Sequence, residues 1–260
     1  MPRLKTEYLK ITLSNGVKCI LYPRKEIHSV SISAKINVGS LDESKNNNGI
    51  SHLIEHLAFD GSKNFEDWQK LNFFLNDISG SSNAYTSDDH TKYYASFPYQ
   101  YLKEGIQYLS EVTLLPLYKS EDVKKEVDII LDEKTRYDDS VEYQLQRSII
   151  LNRFENNNSP YSQDVIGTEA NLKTFKKEDV VKHFEEFYYP ENIEVYLVGN
   201  FDIAKATVWL EEYFGKFKPS NSSKKIERVF IKEYPKYSTF KISAKQKLDI
   251  NQYYLVINFP

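Results

Sequence analysis

Apolar and polar residues alternate, or β-branched and aromatic residues cluster, in several short stretches that have the pattern of strands. The first stretch, residues 7–22, holds Ser14-Asn15-Gly16 between two strand-like runs, and Asn-Gly in that position predicts a hairpin turn. Further strands are predicted at residues 28–38, 91–97 and 193–199. The polar residues 83–87 are expected to form a loop.

Other segments place apolar residues three or four positions apart, which predicts amphipathic helices. These helices are expected at residues 49–59, 65–78, 99–113, 121–139, 141–154, 176–188 and 202–214. We expect Asn64 to cap the second of them, with Trp68 on its inner face, and Ser120 to cap the fourth.

The predicted helices cluster between residues 49 and 188, which disfavours a regularly alternating βαβ barrel. We therefore predict an α+β fold with a largely antiparallel sheet and helices packed mainly on one face. Residues 218–225 are the best linker candidate, because they are rich in Ser, Asn and Lys. Strand-like runs follow at residues 228–234, 239–243 and 253–260, and the last run stops in mid-element. We interpret this ending as a sign that the chain is part of something larger.

Charge and composition exclude several classes of protein. The 260 residues carry 34 basic and 37 acidic side chains, which are interspersed, so no nucleic-acid partner is expected. No apolar run has the length of a membrane span, and the N-terminus has no signal-like apolar core, so we expect a cytoplasmic protein without a membrane partner. The single cysteine, Cys19, is expected to be a small buried residue rather than a catalytic one.

The first predicted helix carries the motif His52-Leu53-Ile54-Glu55-His56. Two histidines four residues apart share one helix face and supply half of a tetrahedral zinc site. A carboxylate beside them can take a proton from a water molecule. Helical histidines are usually surface or core residues, but this motif arises by chance in only about one in a hundred chains of such composition. We expect the other histidines, His28, His90 and His183, to lie at the surface.

A catalytic zinc needs a third protein ligand and an open position. Helix 121–139 carries Glu126 and Glu133, which are two turns apart on one face. Helical carboxylates are usually solvated, so neither glutamate is informative by itself.

In combination these residues resemble the inverzincin peptidases, a family that includes pitrilysin, insulin-degrading enzyme and mitochondrial processing peptidase. That family has H-x-x-E-H followed downstream by a ligand glutamate, with another glutamate seven residues before it. Other elements also resemble the family in order: Gly49-Ile50-Ser51, Phe59-Asp60-Gly61-Ser62, Asn83-Ala84-Tyr85-Thr86, Pro160-Tyr161, Ile166-Gly167, Tyr189-Pro190-Glu191-Asn192 and Val198-Gly199-Asn200. The resemblance covers roughly residues 7–215 and implies a zinc metalloendopeptidase.

The resemblance implies a role for each matching residue. His52, His56 and Glu133 would bind zinc (Zn²⁺), which would polarise the scissile carbonyl. Glu55 would be the general base that activates the attacking water and later protonates the leaving amine.

Two further assignments follow from the same resemblance. Glu126 would support catalysis close to the metal, although a solvated helical carboxylate is the alternative. Asn83 and Ala84 would offer backbone groups to a peptide substrate that adds in extended conformation to the edge of the sheet.

Members of that family pair two homologous lobes like a clamshell, and this chain holds one ligand set. The resemblance thus implies a zinc-binding lobe over residues 1–218, and a linker with the truncated start of a second lobe over residues 219–260. The second lobe would come from a continuation of the chain, a partner subunit or a homodimer. Two alternatives stay open: a non-cleaving binding or structural lobe, and a purely structural zinc site, which fits an open three-ligand set less well.

Overall fold

The computed structural model of the chain describes residues 8–154 and 159–218. The strands are β1 Leu9–Thr12, β2 Lys18–Pro23, β3 Ser29–Ile36, β4 Ser81–Thr86, β5 Thr91–Pro98 and β6 Ile193–Gly199. The helices are α1 Ile50–Leu57, α2 Trp68–Asp77, α3 Leu102–Leu114, α4 Ser120–Asp138, α5 Val141–Phe154, the single turn α6 Glu169–Leu172, α7 Lys177–Phe187 and α8 Ile203–Tyr213.

The strands form one six-stranded sheet in the order β1-β2-β6-β3-β5-β4. Neighbouring strands run antiparallel except for β2 and β6, which are parallel. In the centre of the sheet, Ala34 of β3 pairs with Tyr93 of β5 on one side and with Val195 of β6 on the other. The predicted α+β class with a largely antiparallel sheet is confirmed, and β4 occupies one edge.

One face of the sheet forms the core. Ile32, Tyr93 and Leu197 point into it and are nearly inaccessible to solvent, whereas Tyr94 and Val198 lie on the opposite face and are exposed. The helices α1 and α3 pack against the core face, so the expected one-sided arrangement is confirmed. Within the described residues, no helix is both long and apolar enough to cross a lipid bilayer.

The predicted hairpin at Ser14-Asn15-Gly16 joins β1 to β2, with the Leu13 N–H bonded to the Val17 carbonyl at 2.8 Å. The loop expected at residues 83–87 is wrong, because residues 81–86 form strand β4. Ser-Ser-Asn-Ala-Tyr-Thr has little intrinsic strand preference, and the ladder to β5 supplies what the local sequence lacks.

Three smaller predictions are also wrong. Helix α2 is capped by Asp67, whose carboxylate accepts from the Lys70 N–H, whereas the Asn64 amide donates to the buried Glu111. Trp68 therefore starts the helix on its outer side and is 51 % exposed. Ser120 is the first residue of α4 rather than its cap, since Lys119 occupies that position.

The histidine expectations have mixed outcomes. His28 is exposed, as expected, and His90 is partly exposed at the β4–β5 turn. The expectation for His183 is wrong, because α7 packs against α1 and buries its ring. Apart from its first residue, Lys218, the predicted linker at residues 218–225 lies outside the described residues, as do the strand-like runs at 228–234, 239–243 and 253–260.

Candidate active site

Helix α1 is held in the core by its apolar face. Ile50, Leu53, Ile54 and Leu57 are fully or almost fully buried, which fixes the rotation of the helix and turns His52 and His56 away from the core. The helix starts at Gly49, whose φ of +101° is strained for a residue with a side chain. A Cβ there would also come within 2.8 Å of the Gly167 Cα, so the segment after α5 lies directly on the start of α1.

A buried carboxylate anchors the same helix end. Glu43 accepts from the Gly49 N–H at 2.8 Å, from the Ser51 N–H at 2.8 Å and from the Asn48 side-chain amide at 2.9 Å. Burial raises the pKa of Glu43, and these bonds oppose the rise. Because free N–H groups and the positive end of the helix dipole meet here, an anion satisfies both.

The side chains of His52, His56 and Glu133 converge at one point. The Glu133 Oε2 atom lies 3.5 Å from His56 Nε2 and 3.8 Å from His52 Nε2. One donor atom from each of the three residues lies within 4.8 Å of the others. Adjacent ligands of a tetrahedral ion with bonds of about 2.0–2.2 Å are separated by about 3.3–3.6 Å. The three donors thus have the chemistry and nearly the spacing of a metal site.

Helix α4 brings its two glutamates to different sides of His56. Val123, Val127 and Ile130 seat α4 in the core. The His56 Nδ1–H donates to Glu126 Oε2 at 3.0 Å, and Nε2 is the ring nitrogen that faces Glu133. In the neutral ring this bond selects the tautomer in which Nε2 is free to bind a metal. Glu126 is 6 % exposed, so the alternative of a solvated helical carboxylate does not describe it.

Glu126 is itself held by a basic neighbour. The Lys125 Nζ atom lies 3.1 Å from Glu126 Oε1 and 3.0 Å from Asp60 Oδ1, which follows α1 in the chain. Burial would raise the pKa of Glu126, but the bonds to His56 and Lys125 prevail and lower it. The carboxylate is therefore ionised and ties α4 to the end of α1.

The two histidines differ in charge preference. Burial, helped by the neighbouring His56, lowers the pKa of His52 to about 4, so its ring is neutral and able to bind a metal at neutral pH. Burial also disfavours the charged form of His56, but Glu126 and Glu133 outweigh it and raise its pKa to about 9. Among the described residues, the buried Nδ1 atom of His52 has no hydrogen-bond partner, so no bond through Nδ1 orients that ring.

Glu55 lies beside the three donors without joining them. Its Oε2 atom is 4.0 Å from His52 Nε2, and it accepts a hydrogen bond of 2.9 Å from the Thr86 hydroxyl on β4. Burial raises the pKa of Glu55, and the Thr86 bond opposes that rise. A carboxylate of raised pKa is suited to accept a proton and return it.

Asn83 and Ala84 lie on β4, the edge strand beside this group. Asn83 is exposed and Ala84 is half-buried, and the Ala84 N–H donates to the Asn83 side-chain oxygen at 2.8 Å. β4 pairs with β5 on one side only, so its other side presents backbone groups along the same cleft.

The cleft has a volume of 660 Å³ and is lined by the two histidines, Glu55, Glu133, Asn83 and Ala84. Glu126 lies behind His56 and does not line it.

Sequence reasoning missed Thr86, Tyr137, Tyr143 and Asp164, which also line the cleft. Tyr137 could have been found, since it lies one helical turn after Glu133, but no local signal marks Tyr143 or Asp164.

Comparisons with known proteins identify the family. The sequence model described as Insulinase (Peptidase family M16) matches residues 19–169, and that described as Peptidase M16 inactive domain matches residues 174–260. The chain is 24% identical to an uncharacterized zinc protease, YmxG, of Bacillus subtilis over 251 residues, 96% of this chain and 58% of that protein. It is 26% identical to human insulin-degrading enzyme over 244 residues, covering 91% of this chain and 23% of the enzyme.

Solved structures show the same fold. The crystal structure of pitrilysin superimposes with a TM-score of 0.78 at 21% identity, over 88% of this chain and 24% of pitrilysin. A protease from Helicobacter pylori superimposes with a TM-score of 0.77 at 24% identity, over 89% of this chain and 55% of the protease. This chain therefore spans from just under a quarter to somewhat more than half of these proteins, and by its match over residues 19–169 it belongs to the insulinase family of peptidases.

Proposed function

We propose that the chain is the zinc-binding lobe of a metalloendopeptidase that hydrolyses peptides or unfolded polypeptide segments. The convergence of His52, His56 and Glu133, with the Glu55 carboxylate 4.0 Å from one donor, carries this proposal. Two imidazole nitrogens and one carboxylate oxygen are a donor set that zinc accepts in catalytic sites. The zinc proteases among the relatives support the choice of metal.

Each side chain of the site would have a different role. When bound, zinc would act as a Lewis acid at the scissile carbonyl and on water. His52, His56 and Glu133 would hold the ion, while Glu126 would keep His56 in the tautomer that binds through Nε2. Glu55 would accept the proton of the attacking water and transfer it to the leaving amine.

The position of β4 supports an extended substrate. A peptide that adds as a further strand would bond to the backbone around Asn83 and Ala84, a few residues before Thr86 and its contact with Glu55. Such strand pairing recognises the peptide backbone more than the side chains. It therefore favours extended, unfolded segments over any one amino-acid sequence. A substrate carbonyl would then replace the Asn83 side chain as the partner of the Ala84 N–H.

The domain division is part of the proposal. Strand β6 lies between β2 and β3, so it completes the sheet on which the zinc-binding helix packs, and α8 packs on α3 beside that sheet. This supports one lobe over residues 1–218, with residues 219–260 as a linker and the start of a second, homologous lobe. The second lobe would come from further chain, a partner subunit or a second copy, and would close the cleft.

The test is a cleavage assay on the zinc-loaded protein with a quenched-fluorescence peptide library and an unfolded protein. Glu55→Gln should retain one zinc per chain and lose hydrolysis, because the amide cannot accept the proton. The matched control is Glu169→Gln, which removes an exposed carboxylate paired with Lys173. This variant should cleave like the unmodified protein.

The assay is run on the chain alone and with a second lobe supplied. The main alternative is a non-cleaving binding lobe. The region that matches the inactive domain, residues 174–260, holds none of the proposed zinc ligands and so does not decide between the two. Stoichiometric zinc with no cleavage under either condition would support that alternative. Undiminished turnover by Glu55→Gln would reject the proposed base.

A further inference from the structure

Thr86 is the one described side chain that hydrogen-bonds the proposed base from outside α1. Its hydroxyl donates to Glu55 Oε2 at 2.9 Å, and its backbone also favours the ionised carboxylate. Among the described residues, no hydrogen bond joins the Thr86 side chain to His52, His56 or Glu133, so its polar contact with the site is the one to Glu55.

We propose that Thr86 is a positioning residue that fixes the carboxylate of Glu55 for proton transfer and couples it to the substrate strand. The inference rests on the function proposed above. A glutamate side chain has three rotatable bonds, and Glu55 has no bonded cation to hold it in place among the described residues. The Thr86 hydroxyl restricts one carboxylate oxygen, which determines where the other one points.

The position of Thr86 in the fold explains how a bound substrate could affect Glu55. Thr86 is the last residue of β4, and it lies on the same face of the strand as Ser82 and Ala84. It pairs with Thr91 of β5, so its inner side is fixed by the sheet. A peptide bound along the outer edge of β4 would order the backbone that carries Thr86, and thereby the orientation of Glu55.

The first test separates turnover from binding. Thr86→Val keeps the branched shape and the backbone but removes the hydroxyl, so kcat should fall about 10-fold to 100-fold, the size of a hydrogen bond to a charged group. KM and the zinc dissociation constant, measured by chelator competition, should not change. Thr86→Ser restores the hydroxyl and should restore most of kcat.

Ser82→Ala is the matched control, since Ser82 lies on the same face of β4 and bonds to the Tyr108 hydroxyl instead, at 2.7 Å. It should leave kcat unchanged. A Thr86→Val variant with unchanged kcat would overturn the inference. An equal loss in Thr86→Val and Ser82→Ala would assign the effect to the strand rather than to the contact, and would overturn it as well.

A second test needs no catalysis and so stands apart from the proposed function. Urea denaturation of the metal-free protein compares Thr86→Val in the natural background and in Glu55→Ala. If the hydroxyl acts through Glu55, Thr86→Val lowers the midpoint only where the carboxylate is present. Equal shifts in both backgrounds would refute the contact. A natural protein that stays inactive even with a second lobe supplied, but shows unequal shifts, would refute the proposed function and leave the positioning contact intact.

Discussion

The carboxylate of Glu43 is expected to determine how firmly the metal-binding helix is held. It is 6 % exposed and accepts three hydrogen bonds, two of them from the first turn of α1. In Glu43→Gln one carboxylate oxygen is replaced by an NH₂ group, which faces a backbone or side-chain donor and cannot accept from it. At least one hydrogen bond is therefore lost, and the remaining bonds are made to a neutral rather than a charged acceptor. With hydrogen bonds to charged groups contributing about 1.5–3 kcal/mol each, we expect a loss of about 2–4 kcal/mol.

The assay is urea denaturation at pH 7.5 with a chelator present, followed by a zinc titration of the folded protein. The second measurement should show an affinity reduced about 10-fold, because a loosened first turn leaves His52 less constrained. Glu66→Gln is the control, since the exposed Glu66 side chain pairs with Lys70 on the surface. It should change neither measurement.

Two results would refute this reasoning. An unchanged urea midpoint in Glu43→Gln would mean that the buried bonds add no net stability over their neutral counterparts. A large loss of stability with unchanged zinc affinity would mean that the anchor acts on the loop before α1 and not on the helix itself.

Three further predictions concern the site and the core. Glu133→Ala should weaken zinc binding more than about 100-fold in chelator competition, and unchanged affinity would reject it as a ligand. In metal-free protein, the pKa of His56 is raised to about 9, above its ordinary 6.5, so its stabilisation is complete below pH 6.5 and lost as pH rises through 9. Urea denaturation should therefore give a lower free energy of unfolding at pH 9.5 than at pH 6.5. This His56-dependent difference should be absent in the His56→Gln variant. Gly105→Ala would place a Cβ 2.1 Å from the Phe97 ring and should cost about 1–3 kcal/mol by thermal denaturation, whereas a gain in stability would contradict the overpacking.

Local spacing predicted the parts of the fold that depend on periodicity. The positions of α1, α3, α4 and α7 follow from apolar residues three or four apart, and the hairpin after β1 follows from Asn15-Gly16. Such signals depend only on neighbours in the chain, so they survive without knowledge of the tertiary structure.

Predictions that depended on distant partners failed. Residues 83–86 were expected in a loop and are in β4, because a ladder with β5 replaces the weak strand preference of that sequence. His183 is a polar residue on an amphipathic helix and is expected at the surface. However, the face of α7 that carries His183 packs against α1, where His183 Nε2 lies 3.2 Å from the Ser51 hydroxyl oxygen. The predicted cap of α2, Asn64, instead donates its amide to Glu111 on α3, and Asp67 caps the helix.

The sequence by itself determined that His52, Glu55 and His56 share one side of a helix, since the period of 3.6 residues leaves no other arrangement. Only the tertiary structure decided that Glu133 meets them, that Glu126 lies behind His56, and that Thr86 reaches Glu55. These contacts join residues far apart in the chain, and their distances are determined by how α4 and β4 pack around α1. No local pattern carries that information, because packing depends on the shapes of both surfaces at once.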